Sequence, residues 1–162
     1  MNLMIRGLNV SVPQDELARL VLDHLTSAQS ASVILTPPPI GEVWTSQGGT
    51  YAGLCRGRDG GHDYHLIVGP EYDGTADWDA AQKWADELSA SGFADYGLPF
   101  RKEQALCFAN VPELFKPETY WSCEQHASVS DYAWGQLFDN GYQGHWTKHD
   151  KLRARAVRRL KI

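Results

Sequence analysis

Along the chain, apolar residues recur at helical spacing in three stretches and alternate with polar ones in several shorter runs. After a first strand in "MNLMIRGLNV", the segment "SVPQDELARLVLDHL" places Leu17, Leu20, Val21, His24 and Leu25 on one stripe, which predicts an amphipathic helix. Ser11 stands where a cap is needed, Gln14 at the capping-box position, and Pro13 in the tolerated first turn. A helix this short needs a partner surface, either the body of the protein or a second copy of the chain, so this element is a candidate homo-oligomer contact. "TSAQSASVILTPPPIGE" then mixes small polar residues with prolines in the manner of a linker. Residues 1–40 therefore read as an appendage and 41–162 as the main domain.

In that domain "YAGLCRGRDGGHDYHLIV" reads as a hairpin, with Asp59-Gly60 supplying the positive φ of a tight turn. Asp59 and Asp63 lack the further oxygen ligands that a calcium loop needs, so a plain turn is the reading. "DWDAAQKWADELSASGF" predicts a helix with Trp78, Ala81, Ala85 and Leu88 inward, Asp77 as cap and Gly92 as stop. "LPFRKEQALCFANVPELF" predicts another that opens near Arg101 and ends before Pro112. Four short strands follow: "TYWSC", "YAWGQLF", "GYQGHWTK" and "LRARAVRRLKI". Asn140-Gly141, a two-residue hairpin signal, joins the second to the third. A hairpin, two helices and a run of antiparallel strands make an α+β fold.

Composition narrows the class. At 162 residues, 43% hydrophobic and 22% charged, the chain suits one globular domain with a small addition. Its start has no basic segment followed by an apolar run, and no run approaches the roughly 18 residues of a membrane span. The expected setting is cytoplasmic. Cys55, Cys107 and Cys123 are odd in number and lack CxxC spacing, which favours free buried thiols over a disulfide or zinc framework. The net charge of −5 hides a basic tail: Lys148 to Ile162 carries seven Lys or Arg against Asp150 alone. Such a tail suggests nucleic acid. However, "LRARAV" alternates like a strand, with Arg153 and Arg155 on one face and Leu152, Ala154 and Ala156 on the other. Packing of these arginines against the acidic body is preferred to a nucleic-acid partner.

The segments "YAGL", "YHLIV", the "W...A..WA" helix, "LPFRKEQAL", "YWSCEQH", "AWGQLFDNG" and "RARAVRR" occur in the order seen in the Lcl C-terminal domain family. The chain resembles that family over roughly residues 41–162. It is a domain of unknown function, found in phages, prophages and bacterial surface proteins. The resemblance implies a C-type lectin-like fold, the architecture of formylglycine-generating enzymes and phage tropism determinants. It further implies that Trp121 and Trp134 lie in the core beneath the terminal strands, and that Trp78 and Trp84 are structural too. Tyr142, His145 and Trp146 fall where such a fold displays its variable surface. Alternation should put His145 on the face opposite Tyr142 and Trp146, with Trp146 displayed. With His126, Asp139 and His149 they form the expected partner-binding set. One departure is Phe100, which stands where the family has a capping Thr. Glu103 thereby loses its reciprocal partner at an expected cost of about 1 kcal/mol.

The sequence carries few marks of catalytic chemistry. The Glu-Pro-Asn, Gln-Pro-Asp and Trp-Asn-Asp motifs of calcium-dependent lectins do not occur, nor does a phosphate loop or a Gly-x-Ser-x-Gly elbow. The thiol pair that formylglycine-generating enzymes use for copper has no counterpart, since Cys107 and Cys123 are widely separated in the chain. His126, His145 and His149 could converge with Glu124 or Asp150 on zinc only if a turn intervenes, because four residues along a strand span roughly 13 Å. The resulting expectation is a non-enzymatic recognition domain of phage or prophage type, without cofactor or metal. Its partner would be a protein or cell-surface macromolecule, met in the virion or inside the host cell. The alternatives are a small-molecule or metal-binding domain and a degenerate oxidase relative.

Overall fold

A computed structural model describes residues 35–58 and 60–162, together with the backbone of Asn2–Ile5 and Leu8–Ser11. The chain divides into two units, Met1–Thr36 and Pro37–Ile162. In the first, β1 (Asn2–Ile5) pairs antiparallel with β2 (Leu8–Ser11), from Asn2↔Ser11 to Ile5↔Leu8. Ser11 thus closes a second strand. The helix expected beyond it, and the expected linker as far as residue 34, lie outside the described residues. The end of that linker is tied to the strand Gly49–Cys55, where the Gly41 N–H donates to the Tyr51 carbonyl and the Tyr51 N–H to that of Glu42.

The second unit is α+β, built from two helices and two antiparallel sheets among the described residues. The first sheet has the order β3 (Val43–Trp44), β4 (Gly49–Cys55), β5 (Tyr64–Glu71) and β9 (Arg155–Lys161). The second comprises β6 (Thr119–Gln125), β7 (Tyr132–Leu137) and β8 (Gln143–Thr147). Between β5 and β6 come α1 (Trp78–Glu87) and α2 (Arg101–Asn110). The end of the chain returns to the first hairpin, with Tyr64↔Lys161 through Val68↔Val157 in register. Neither helix is long and apolar enough to cross a membrane.

Two hydrophobic clusters hold these layers. Leu66, Val68 and Val157 of the first sheet meet Cys107, Val111, Tyr120 and Phe138. Ala81 and Ala85 of α1 meet Trp121, Ala133, Leu98 and Ala154. The small alanines let the helix approach the Trp121 ring, whose Nε1–H donates to the Ala76 carbonyl at 2.9 Å. Asp77 caps α1 as expected by accepting from the Ala80 N–H at 2.9 Å. The helix ends at Glu87, earlier than a Gly92 stop would place it. Leu88 turns extended there, and Ser91 (φ 53°) with Gly92 (φ 83°) forms a separate reverse turn closed by Ala90 and Phe93. The β4–β5 connection runs from Arg56 to Asp63 and is longer than a tight turn. Gly60 (φ 80°) has the positive φ, Asp63 accepts the Gly57 N–H, and Asp59 lies outside the described residues.

Lys151 and the capping N–H together hold the Asp77 carboxyl below the usual carboxylate range. A depressed acid stabilises the fold above its unfolded pKa, and that contribution disappears as pH falls through the folded one. Asp77→Ala should therefore cost about 1 kcal/mol at neutral pH. Its melting curve should merge with that of the parent in acid.

The basic tail binds the body as the alternation predicts. Arg153 pairs with Glu118 at 2.9 Å and with Glu71 at 3.6 Å, and Arg155 pairs with Glu71 at 3.3 Å. Arg158 grips Asp95 and stacks over Phe93, with its guanidinium carbon 3.5 Å from the ring centre. Arg159 reaches Glu103 at 2.7 Å.

Phe100 behaves differently from expectation. Its ring cannot accept the Glu103 N–H, yet Glu103 Oε2 still accepts the Phe100 N–H at 2.8 Å, so half the capping box survives. Glu124 accepts the first helical N–H, that of Arg101, at 3.2 Å. Glu103 itself is fully buried and takes Tyr64 O–H at 2.5 Å and Arg159 Nε–H at 2.8 Å. The Glu103 carboxylate is thus both half of the cap and the centre of a buried network. The guanidinium groups of Arg58 and Arg159 both lie over the Phe100 ring, 5.0 and 4.6 Å from its centre.

Candidate functional site

The β7–β8 hairpin carries alternating residues to two faces. Ala133, Gly135, Gly144 and Trp146 point one way, toward the α1 cluster. Tyr132, Trp134 and His145 point the other way. The connection is a four-residue loop, Phe138 to Gly141, closed by the Leu137 N–H donating to the Tyr142 carbonyl and the Gly141 N–H to that of Leu137. It is longer than the two-residue turn that Asn140-Gly141 suggested. Phe138 is drawn inward, where it stacks on Phe115 at 3.9 Å, and this lengthens the loop. Gly141 provides the left-handed residue (φ 80°), and any Cβ there would also strike Phe108.

On the second face, beyond the N-terminus of α2, five side chains gather. Trp134 carries Arg101 over its ring at 3.5 Å and His126 stacked on it at 5.6 Å. His145 meets the Trp134 edge at 5.6 Å and lies 4.9 Å from His126, centre to centre. Tyr132 closes the group at 5.4 Å from His145. His126 Nδ1 accepts the N–H groups of Ser128 and Val129, which fixes the ring over the β6–β7 loop. A chain of amides fixes Arg101. Gln143 donates to the Arg101 carbonyl and to Gln136 Oε1, both at 2.7 Å, and accepts Arg101 Nε–H at 3.3 Å. Gln136 and Gln104 are buried and extend the chain to the Tyr120 carbonyl.

Of the expected binding residues, His126 and His145 come together. Tyr142 and Trp146 come together on the opposite face, 6.4 Å apart and edge to face. Asp139 stands alone on the exposed loop, and His149 lies in the next turn near Asp77. Tyr142 is 62% exposed, whereas Trp146 is half-buried over Gly135 and Gly144 against the α1 cluster. The display expected of Trp146 is thus only partial. Trp146→Ala should cost about 2 kcal/mol, roughly half the full-burial value. Tyr142→Ala should stay within about 0.5 kcal/mol. Chemical denaturation of the two variants checks both values.

Trp134 is a correction: it lies outside the buried core, half-buried at the centre of the cluster on the other face. The inward positions beside it are Ala133 and Gly135, small enough for Trp121 and Trp146 to fill the space. Arg101 and Tyr132 were missed as site residues. Alternation through "YAWGQ" carried the signal for Tyr132, while Arg101 is brought in only by tertiary packing.

Among the described residues no three His, Cys, Asp or Glu side chains gather as a metal site. The thiols are free, and burial raises all three, Cys123 to about 12 despite nearby Arg159. None is poised as a thiolate at neutral pH. An open concavity of about 360 Å³ on the first sheet is lined by Val43, Thr50, Val68, Ser91 and Arg155. Arg155 is already engaged there with Glu71 and the Gly69 carbonyl.

No family model and no curated protein matches this chain.

Proposed function

We propose that the chain is a non-enzymatic recognition domain, of phage or prophage type and C-type lectin-like architecture. It binds a protein or cell-surface macromolecule through the β7–β8 hairpin, in the virion or in the host cytoplasm. The observation that carries this reading is the cluster of Tyr132, Trp134, His126, His145 and Arg101. These groups lie outside the hydrophobic clusters, on a sheet face beyond the end of α2. Aromatic rings and arginine are the side chains that concentrate binding energy at interfaces. The amide chain that anchors Arg101 supplies the preorganisation such a surface needs. The lectin-like reading rests on the motif order and is supported by the α+β layout, in which the terminal strand returns to the first hairpin.

The test is affinity capture from bacterial lysate with the wild-type chain and with His145→Ala and Tyr142→Ala variants that melt normally. A partner held by the wild type should be weakened about 30-fold by at least one substitution. A partner held equally by both variants, and released by substitutions on the first sheet, would move the site elsewhere.

A further inference from the structure

The backbone of the hairpin has a direction that its side chains do not reveal. Residues of β7 and β8 pair with Trp134 opposite His145 and Gly135 opposite Gly144. At one end the Leu137 N–H donates to the Tyr142 carbonyl, and at the other the Lys148 N–H donates to the Asp131 carbonyl. Hydrogen-bonded pairs alternate along an antiparallel ladder. Gly144 and Trp146 therefore bond to β7, while the N–H and C=O groups of Gln143 and His145 point away from the sheet. β8 is the last strand of its sheet, and among the described residues nothing accepts from or donates to these outward groups. Such an edge is a template for another strand unless it is covered or blocked. This one carries no proline, lysine or bulge.

The two faces beside that edge differ. Arg101, His126 and His145 lie on one, and Arg101 has no carboxylate within ion-pair distance among the described residues. Its Nε–H is used by Gln143, a neutral acceptor. The other arginines of the second half of the chain, from Arg153 onward, are each matched to an acid. On the opposite face stand Tyr142 and Trp146.

We infer that the open edge of β8 takes up an extended segment of a protein partner as a fourth strand. Acidic side chains of that segment lie on the Arg101–His145 face and apolar ones on the Tyr142–Trp146 face. The inference rests on the recognition reading above and specifies its partner. Main-chain hydrogen bonds to Gln143 and His145 supply affinity, and the alternating side chains supply specificity. The carboxylates of the segment provide the counter-charge that Arg101 lacks.

The experiment selects binders to the full chain from a display library of random dodecapeptides. Enriched peptides should alternate acidic and apolar residues and lack proline in their centre. Binding of a synthetic selected peptide should weaken about tenfold or more in His145→Pro, which loses one outward N–H and no ladder bond. The residue before it, Gly144, tolerates the proline. His145→Ala keeps that N–H and loses only the side chain, so His145→Pro should bind more weakly than His145→Ala, and the difference between them reads the backbone bond. The same loss should follow N-methylation of the peptide backbone opposite His145, a change that leaves the protein untouched. Failure to enrich any peptide overturns the inference, as does unchanged binding after both backbone modifications. If a captured protein survives His145→Pro but not Tyr142→Ala, the edge reading falls and the recognition reading stands. If it survives every hairpin substitution, both fall.

Discussion

Glu103→Ala is expected to destabilise the main domain by about 3–5 kcal/mol, measured as a shift of the urea midpoint at constant slope. The carboxylate is fully buried and receives the Phe100 N–H, the Tyr64 hydroxyl and two Arg159 donors. Its removal leaves a cation without counter-charge, a buried hydroxyl without acceptor and a helix start without half its cap. Arg159 is about a quarter exposed, so water relieves part of the penalty and the lower end of the range is expected. Replacing Glu103 and Arg159 together by apolar residues should cost less than the sum of the single changes. Additivity would mean that the pair does not interact.

Trp121→Ala should be as damaging, by about 3–5 kcal/mol, while Trp134→Ala costs about 1 kcal/mol. Trp121 has no exposed surface and also loses its bond to the Ala76 carbonyl. Trp134 gives up contacts with Arg101 and two imidazoles that water partly replaces. Paired denaturation curves distinguish the two, and equal losses would place Trp134 in the core after all.

These two tryptophans mark where sequence reasoning reached and where it stopped. Periodicity located both helices and the four late strands, because apolar spacing and caps such as Asp77 are local signals. It also separated His145 from Trp146, since strand alternation requires only a count of residues. It could not say which face of the second sheet the helices would cover. Small residues at Ala133 and Gly135 were the clue that Trp134 points away from the core. Glu103 looked like a capping residue short of a partner. Tyr64 and Arg159, its actual partners, are far away in sequence and close only through the β5–β9 pairing. Arg101 joined the candidate site for a similar reason: Gln143, Gln136 and Gln104 bring the start of α2 to the hairpin, and no local pattern announces such a chain of amides. The loop at Asn140-Gly141 is longer than its dipeptide suggests: it takes in Phe138, which is buried and stacked on Phe115, a tertiary contact that the dipeptide does not announce.

Amide hydrogen exchange of the chain, with and without a captured partner, tests the recognition surface most directly. In the free protein the outward N–H groups of Gln143 and His145 should exchange quickly, while those of Gly144 and Trp146 are protected by the ladder. Partner binding is predicted to slow exchange at Gln143 and His145 and in the loop from His126 to Asp131. Unchanged exchange there, with new protection on the first sheet around Val43 and Val68, would contradict the account.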